Sequence, residues 1–224
     1  MAKGRFITIE GGEGAGKTTH VRRLAATLRD RGCTVLDTRE PGGSPGAEQI
    51  RALLVSGDVG RWDVVTETLL HLAARRDHLV RAIWPALAAG TWVVCDRYAD
   101  STMAYQGYGQ GLAPEIVDRF HALATDGFKP DLTLILDLPA DRGLSRAWSR
   151  NPDRASDNNR YERMDRTFHE RLRQGFLTIA RSEPGRCVVI DASQDLDAVS
   201  AAIEQAVFDR FQTPALEPPP LRPR

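Results

Sequence analysis

Cysteine is scarce and scattered, with only Cys33, Cys95 and Cys187 in 224 residues. They form no C-x-x-C pair or Cys/His cluster, which leaves a zinc site unsupported, and an odd, dispersed count argues against a disulfide framework. Each lies in or beside a β-like apolar run and reads as a buried thiol in a reducing compartment. Long apolar runs are also missing: the uncharged stretch Ala82–Cys95 is too short to span a bilayer and contains Pro85 and Gly90. Charge of one sign is not in excess, since Lys plus Arg and Asp plus Glu are 30 each. The surface as a whole therefore attracts neither nucleic acid nor an anionic membrane. The chain enters a strand-like pattern within a few residues of its start and shows no secretory apolar segment. These absences predict a soluble cytoplasmic protein, long enough for one domain that folds without staples.

Apolar runs of strand length alternate with helical periodicity. The runs are Phe6–Ile9, Thr34–Asp37, Trp92–Cys95, Leu132–Leu136 and Val188–Ile190. Helical spacing fits 17–31, 45–56, 63–88, 114–125, 140–150, 160–182 and 195–211, with Pro85 expected to bend or disrupt the third. Near-continuous apolar strands separated by helices predict an α/β fold: a five-stranded parallel sheet covered by helices on both faces. Ligands of such sheets bind beyond the carboxyl ends of the strands. Attention therefore falls on Glu10-Gly11, Asp37 to Glu40, Asp96-Arg97-Tyr98, Asp137 and Asp191. The organisation expected is one domain over 1–212, followed by a disordered Pro-rich tail over 213–224.

The most informative segment is Gly11-Gly12-Glu13-Gly14-Ala15-Gly16-Lys17-Thr18, which matches G-x-x-x-x-G-K-[ST] between a strand and a helix start. That arrangement aims backbone N–H groups and a helix dipole at one anion, while the glycines let the chain wrap it closely. Lys17 supplies a charge for the β- and γ-phosphates, and the Thr18 hydroxyl is placed for Mg²⁺. Asp96, at a strand end, is a second candidate for the metal, with a helix-cap or turn acid as its alternative. Arg97 suits bidentate phosphate recognition. Arg39, in Thr38-Arg39-Glu40-Pro41-Gly42-Gly43, is either a solvated loop charge or a phosphate ligand. Arg51 and Arg75 on predicted helices would count only if they converge on a phosphorylated acceptor. Arginines 142, 146, 150, 154 and 160 flank an Asn151-Pro152-Asp153 turn. They suggest an arginine-bearing lid over about 146–162, or else a charge-mixed solvated hairpin. A positioned arginine contributes about 10³–10⁵ in phosphoryl-transfer rate, and the glycine loop contains none.

Taken together, these segments resemble bacterial thymidylate (dTMP) kinases over roughly 5–211. The match runs through the glycine loop with Thr19, Thr38–Gly43, Ala73-Ala74-Arg75, Asp96-Arg97-Tyr98, Ser101–Gly107, Pro130–Asp137 and Gly143–Ala147. The resemblance implies a P-loop fold of nucleoside monophosphate kinase type, ATP as phosphoryl donor with Mg²⁺, and dTMP as acceptor. It implies ATP contacts from Gly11 to Thr19 and from Arg146 beside adenine. For dTMP it implies Glu13 at the 3′-hydroxyl, Arg39, Arg51 and Arg97 around the phosphate, and Arg75 at a thymine carbonyl. Thr102 and Gln106 would lie at the base edge and Tyr105 against the sugar 2′ position. His71 stands where the family usually has a Phe and is expected to stack on thymine. Since positions 14 and 15 are Gly and Ala, the chain resembles the class with a catalytic arginine in the lid, best matched by Arg150, with Arg154 and Arg146 as alternatives. Lys17, Arg97 and Arg150 are thus the expected catalytic groups. Asn159 replaces the commoner Asp of the lid signature. The resemblance also implies a homodimer, with the helix over 63–84 as the candidate surface. The competing readings are another small-molecule or deoxynucleoside kinase and a non-catalytic nucleotide-binding regulator. A GTPase is disfavoured because no Asn-Lys-x-Asp or Thr-Lys-x-Asp segment occurs.

Overall fold

The computed structural model describes residues 4–150 and 160–212, apart from the side chain of Arg150. Five strands, β1 (Phe6–Gly11), β2 (Val35–Arg39), β3 (Trp92–Asp96), β4 (Leu132–Asp137) and β5 (Cys187–Asp191), form one sheet in the order β2-β3-β1-β4-β5. All four pairings are parallel, with Ile9 opposite both Asp96 and Leu134. Every residue of β1 is buried, as expected for a central strand with helices over both faces. No helix among the described residues is long and apolar enough to cross a membrane.

Alternation along β1 divides the core. Ile7 and Ile9 pack with Val21, Leu24 and Leu28 of α1 (Lys17–Asp30) and Val199, Ile203 and Val207 of α9 (Leu196–Phe211). Phe6 joins the opposite face with Leu79, Ile83, Val93 and Tyr98. The remaining helices are α2 (Pro45–Val55), α3 (Val64–His78), α4 (Trp84–Ala88), α5 (Ala99–Thr102), α6 (Pro114–Thr125), α7 (Ala140–Arg150) and α8 (Arg166–Ser182). Phe168, Leu172, Phe176 and Ile179 of α8 cover the second face beside β4.

Three local features differ from the sequence expectation. The helix expected over 63–88 is divided: α3 passes into a π-helical turn, Leu79–Ile83, before α4, where Pro85 falls in the first turn and so needs no N–H partner. The helix expected over 160–182 is a 3-10 turn, Arg160–Arg163, then α8, which Asp165 caps by accepting the Phe168 N–H at 2.7 Å. Residues 99–109, for which no element was expected, form α5 and a π-helical segment, Met103–Gly109. The segment expected to form a lid lies partly outside the described residues, as do Arg154, Asn159 and the tail over 213–224.

Candidate active site

The carboxyl ends of β2, β3 and β1 lie side by side at one edge of the sheet, where β1 ends. There the chain leaves the sheet as the glycine loop and re-enters structure as α1. Gly14 has φ +68°, and a Cβ on it would lie 1.9 Å from the Gly143 carbonyl oxygen of α7. A Cβ on Gly143 would in turn lie 2.4 Å from the Glu13 carbonyl oxygen. The loop therefore rests directly on α7, backbone against backbone, and only residues without side chains fit. Lys17 is buried and donates to the Gly12 carbonyl at 2.7 Å. Burial and the Arg97 charge push its ammonium down to about 8, against Glu13, Asp96 and Glu10. The Thr18 hydroxyl donates to Asp96 Oδ2 at 2.5 Å. This brings together the two residues expected at the metal.

Beside the loop is a cavity of about 230 Å³. Of the residues expected at the acceptor, Glu13, Arg51, His71, Arg75, Arg97, Thr102, Tyr105 and Gln106 line it. Arg39 does not: its guanidinium turns to both oxygens of Glu48 at 3.1 Å and stays half exposed. Arg51, from α2, donates to the Pro41 carbonyl at 2.8 Å.

Two carboxylates organise the cationic wall. Glu13 Oε1 accepts from Arg97 Nη2 at 3.0 Å and from the Tyr105 hydroxyl at 2.5 Å. Burial alone would raise this acid, but Arg97, Lys17 and the Tyr105 hydrogen bond outweigh it and hold it at about 2. Glu40, buried at the end of β2, accepts from Arg75 Nε at 2.7 Å. Arg75 is 2% exposed, donates through Nη2 to the Tyr98 carbonyl at 2.9 Å and to Thr102 Oγ1 at 3.0 Å, and leaves Nη1 without a partner. A buried guanidinium with one unused donor in a cavity wall is a site for an oxygen acceptor.

His71 Nε2 and the Tyr161 hydroxyl are hydrogen-bonded at 2.9 Å, and both line the cavity. Burial, then Arg75, Arg160, Arg97 and Arg51, pushes the imidazole down to about 3, so it stays neutral. Gln106 lends its amide N–H to the buried Glu67 at 2.7 Å, and Glu67 in turn pairs with Arg160 at 2.5 Å. Tyr105 packs edge-on against Tyr161 and Phe168, with ring centroids 5.3 and 6.0 Å away. On the donor side Arg146 donates to the Ala192 carbonyl at 3.0 Å, beside the end of β5.

Sequence reasoning did not single out Tyr161, Glu162, Pro41, Val55, Tyr98 or Ser101 as acceptor-cavity residues, although they line it. Pro41, Tyr98 and Ser101 lay inside matched segments whose individual side chains were not separated, Tyr161 and Glu162 at the end of the expected lid, and Val55 within the helical spacing of 45–56. Among the described residues no group of three or more His, Cys, Asp or Glu could hold a metal by itself. A hydroxyl and one carboxylate do fit Mg²⁺, which keeps most of its waters and takes its other ligands from phosphates.

A phosphate-gripping loop after the central strand of a 2-3-1-4-5 sheet, beside an arginine-lined cavity, defines a P-loop kinase of the nucleoside monophosphate type. The thymidylate kinase family model matches residues 9–203. The thymidylate kinase of Caulobacter vibrioides is 55% identical over 211 residues, covering 94% of this chain and 99% of the relative. That of Rhizorhabdus wittichii is 47% identical over 206 residues, covering 92% and 98%. The crystal structure of thymidylate kinase from Ehrlichia chaffeensis superposes with a TM-score of 0.73 at 35% identity, covering 92% of this chain and 99% of that one. The chain belongs to the thymidylate kinase family. The readings as another small-molecule kinase or a non-catalytic regulator are not favoured by these relatives.

Proposed function

We propose that the protein transfers the γ-phosphoryl group of ATP to the phosphate of dTMP, giving dTDP and ADP. The observation that carries this is the convergence of Arg51, Arg75 and Arg97 with Glu13 on one cavity that adjoins Lys17 and its loop. The acceptor phosphate is already a nucleophile, so the protein's work is alignment and charge neutralisation rather than proton removal. The loop amides and Lys17 hold the donor, with Arg146 at the adenine. Mg²⁺, held from the protein side by Thr18 and Asp96, would offset charge on the donor phosphates.

On the acceptor side Arg97 and Arg51 hold the monophosphate, Arg97 from a position that also touches the Gly11 carbonyl at 3.1 Å. The free Nη1 of Arg75 meets a thymine carbonyl, with Thr102 and Gln106 at the same edge. Glu13, fully ionised, accepts the sugar hydroxyl, and the Tyr105 ring fills the space a 2′-hydroxyl would need. His71 meets the base through its neutral ring while Tyr161 fixes its orientation. Arg39 reaches the phosphate only by exchanging Glu48 for it. Residues 146–162 act as the lid, and Arg150, with Arg154 and Arg146 as alternatives, supplies the transition-state cation. This places the chain in the lid-arginine class. Residues 1–212 make the kinase unit and 213–224 a tail.

We also place the protein in the cytoplasm as a homodimer. The dimer reading is supported by exposed Val65, Leu69 and Val80 along the helix over 64–83, flanked by Ile116 and Leu123 of α6. The activity is tested with one stock of γ-labelled ATP and a panel of dTMP, dUMP, dCMP, AMP and thymidine. Label is expected in dTDP far ahead of all other products. Preferred labelling of thymidine, or no transfer to dTMP, would overturn the assignment.

A further inference from the structure

Glu10 is fully buried as β1 ends, on the face opposite Ile9, beneath the glycine loop it does not join. Its Oε1 accepts the Tyr98 backbone N–H at 2.6 Å, and its Oε2 accepts the Ser101 hydroxyl at 2.6 Å. Tyr98 follows Arg97 directly in the turn, and Ser101 lies in the first turn of α5 just beyond it. Arg97 itself has φ +70°, a left-handed conformation that costs a residue with a side chain about 1–2 kcal/mol unless its neighbours impose it. Arg97 N–H bonds to the Ile9 carbonyl at 3.0 Å, and the next N–H goes to Glu10, so β1 grips the turn at two consecutive points. The side chain is gripped as well: Arg97 Nη1 donates to Ser101 Oγ at 3.3 Å and to the Gly11 carbonyl at 3.1 Å.

The proton order in this chain has one solution. A guanidinium only donates, so Ser101 Oγ must accept from Arg97 and send its own proton on to Glu10. An ionised carboxylate accepts this proton and the Tyr98 N–H at full strength on its two oxygens. Protonated on Oε2, Glu10 would donate to Ser101, whose hydroxyl proton would then have to face Arg97; protonated on Oε1, it would weaken its hold on the Tyr98 N–H. We propose that Glu10 is a positioning residue: through Tyr98 N–H and the Ser101 hydroxyl it sets the backbone and guanidinium of Arg97 between the donor loop and the acceptor phosphate. The inference rests on the acceptor role assigned to Arg97 above.

The chain is titratable in the working range. Burial and then Asp100 push the Glu10 carboxyl up to about 7, against Ser101, Arg97 and Tyr98. The groups facing it are Asp100 from α5, Arg97 from the turn, Lys17 from α1, Arg75 from α3, Cys95 from β3 and Cys187 from β5. Asp100 is itself paired with Arg186 at 2.7 Å.

The test compares wild type, Glu10→Gln and Ser101→Ala by kcat against pH with dTMP and ATP saturating. Glutamine keeps the volume and the Tyr98 contact but donates to Ser101, as the protonated acid does. Wild-type kcat is expected to rise through about pH 7, apart from the substrate phosphate's own step near about pH 6, which all three enzymes share. Glu10→Gln is expected to lack the upper step and to run about tenfold below the wild-type plateau with little change in the KM for dTMP. Ser101→Ala, which removes the relay without adding a donor, should lose the same step. Wild-type kcat flat above pH 6.5, or Glu10→Gln retaining both plateau and step, would overturn the proposal. A readout independent of the acceptor is the pair of Tyr98 amide and Arg97 Nε–H NMR resonances. They should move together with a midpoint near pH 7 in wild type and not in Glu10→Gln; separate or absent titration refutes the coupling. Absence of dTMP turnover in wild type would instead refute the assigned reaction.

Discussion

Replacing Gly14 by alanine places a methyl group 1.9 Å from a carbonyl oxygen, where ordinary van der Waals contact begins at 3.4 Å. The clash must be relieved by about 1.5 Å of separation, and both parties are backbone, so no flexible side chain can swing aside. Either the loop lifts from α7 or α7 withdraws from the loop. Displacements near 1 Å in a reacting assembly cost about 10² in rate. Gly14→Ala is therefore expected to lower kcat/KM for ATP about 100-fold or more. The left-handed φ adds about 1–2 kcal/mol of strain, which in a chain this size lowers Tm by roughly 2–4 °C per kcal/mol. Gly143→Ala separates the two effects. It has no positive φ, and its Cβ meets the Glu13 carbonyl at 2.4 Å, so only the steric part remains and a smaller shift suffices. With about 1.0 Å to relieve, a loss of up to about 100-fold is expected there, without the strain penalty. Steady-state kinetics with each substrate varied, alongside thermal melts, checks both variants. Gly14→Ala within threefold of wild type, or a harmless Gly143→Ala, would show that the contact does not set the geometry of transfer.

Two further outcomes follow from the site. Tyr105→Ala removes a ring that is 5% exposed and packed against Tyr161 and Phe168; stability is expected to fall by about 3 kcal/mol and discrimination against the ribo form of the acceptor to relax. Tyr105→Phe should keep the discrimination, and an unchanged deoxy-to-ribo ratio of kcat/KM in the alanine variant would refute the steric role. The Lys17 ammonium, held down to about 8 in the free enzyme, is charged below that pH and neutral above it. Accordingly kcat/KM for ATP is expected to fall about tenfold per pH unit on the alkaline side of 8, while kcat at saturating ATP falls later; a kcat/KM profile flat to pH 9.5 contradicts this.

Legibility in the sequence followed the physics of each segment. The inner strands β1, β3 and β4 read clearly because burial on both faces leaves mostly apolar residues in them. The edge strands β2 and β5 are only partly buried and read from shorter apolar runs. The glycine loop read clearly because its spacing has mechanical meaning. The segment over 99–109 did not: Ser101, Gln106, Gly107 and Gly109 give no helical apolar period, and its helix is stabilised by what it faces, Glu10, Glu13 and Glu67. Apolar spacing continuing from Tyr161 through Met164 to Phe168 concealed the break that Asp165 caps. Arg39 shows a different limit. Its type and place suited a phosphate ligand, but the direction of an exposed side chain depends on partners such as Glu48 that strand and loop patterns do not rank. His71, expected to stack on thymine, lines the cavity, yet its bond to Tyr161 joins residues 90 positions apart and no local pattern reports it.

The π-helical segment Met103–Gly109 turns its residues by less than the roughly 100° step of an α-helix. Tyr105 and Gln106, although consecutive, can thus both border the same hollow while anchoring to different acids, Glu13 and Glu67. Much of the wall's chemistry is then written in one unbroken stretch of chain, bounded by glycine at its far end. A cassette swap confined to those seven positions would redraw the shape of the hollow while leaving the glycine loop's own sequence intact, which makes this stretch a natural place for acceptor preference to diverge.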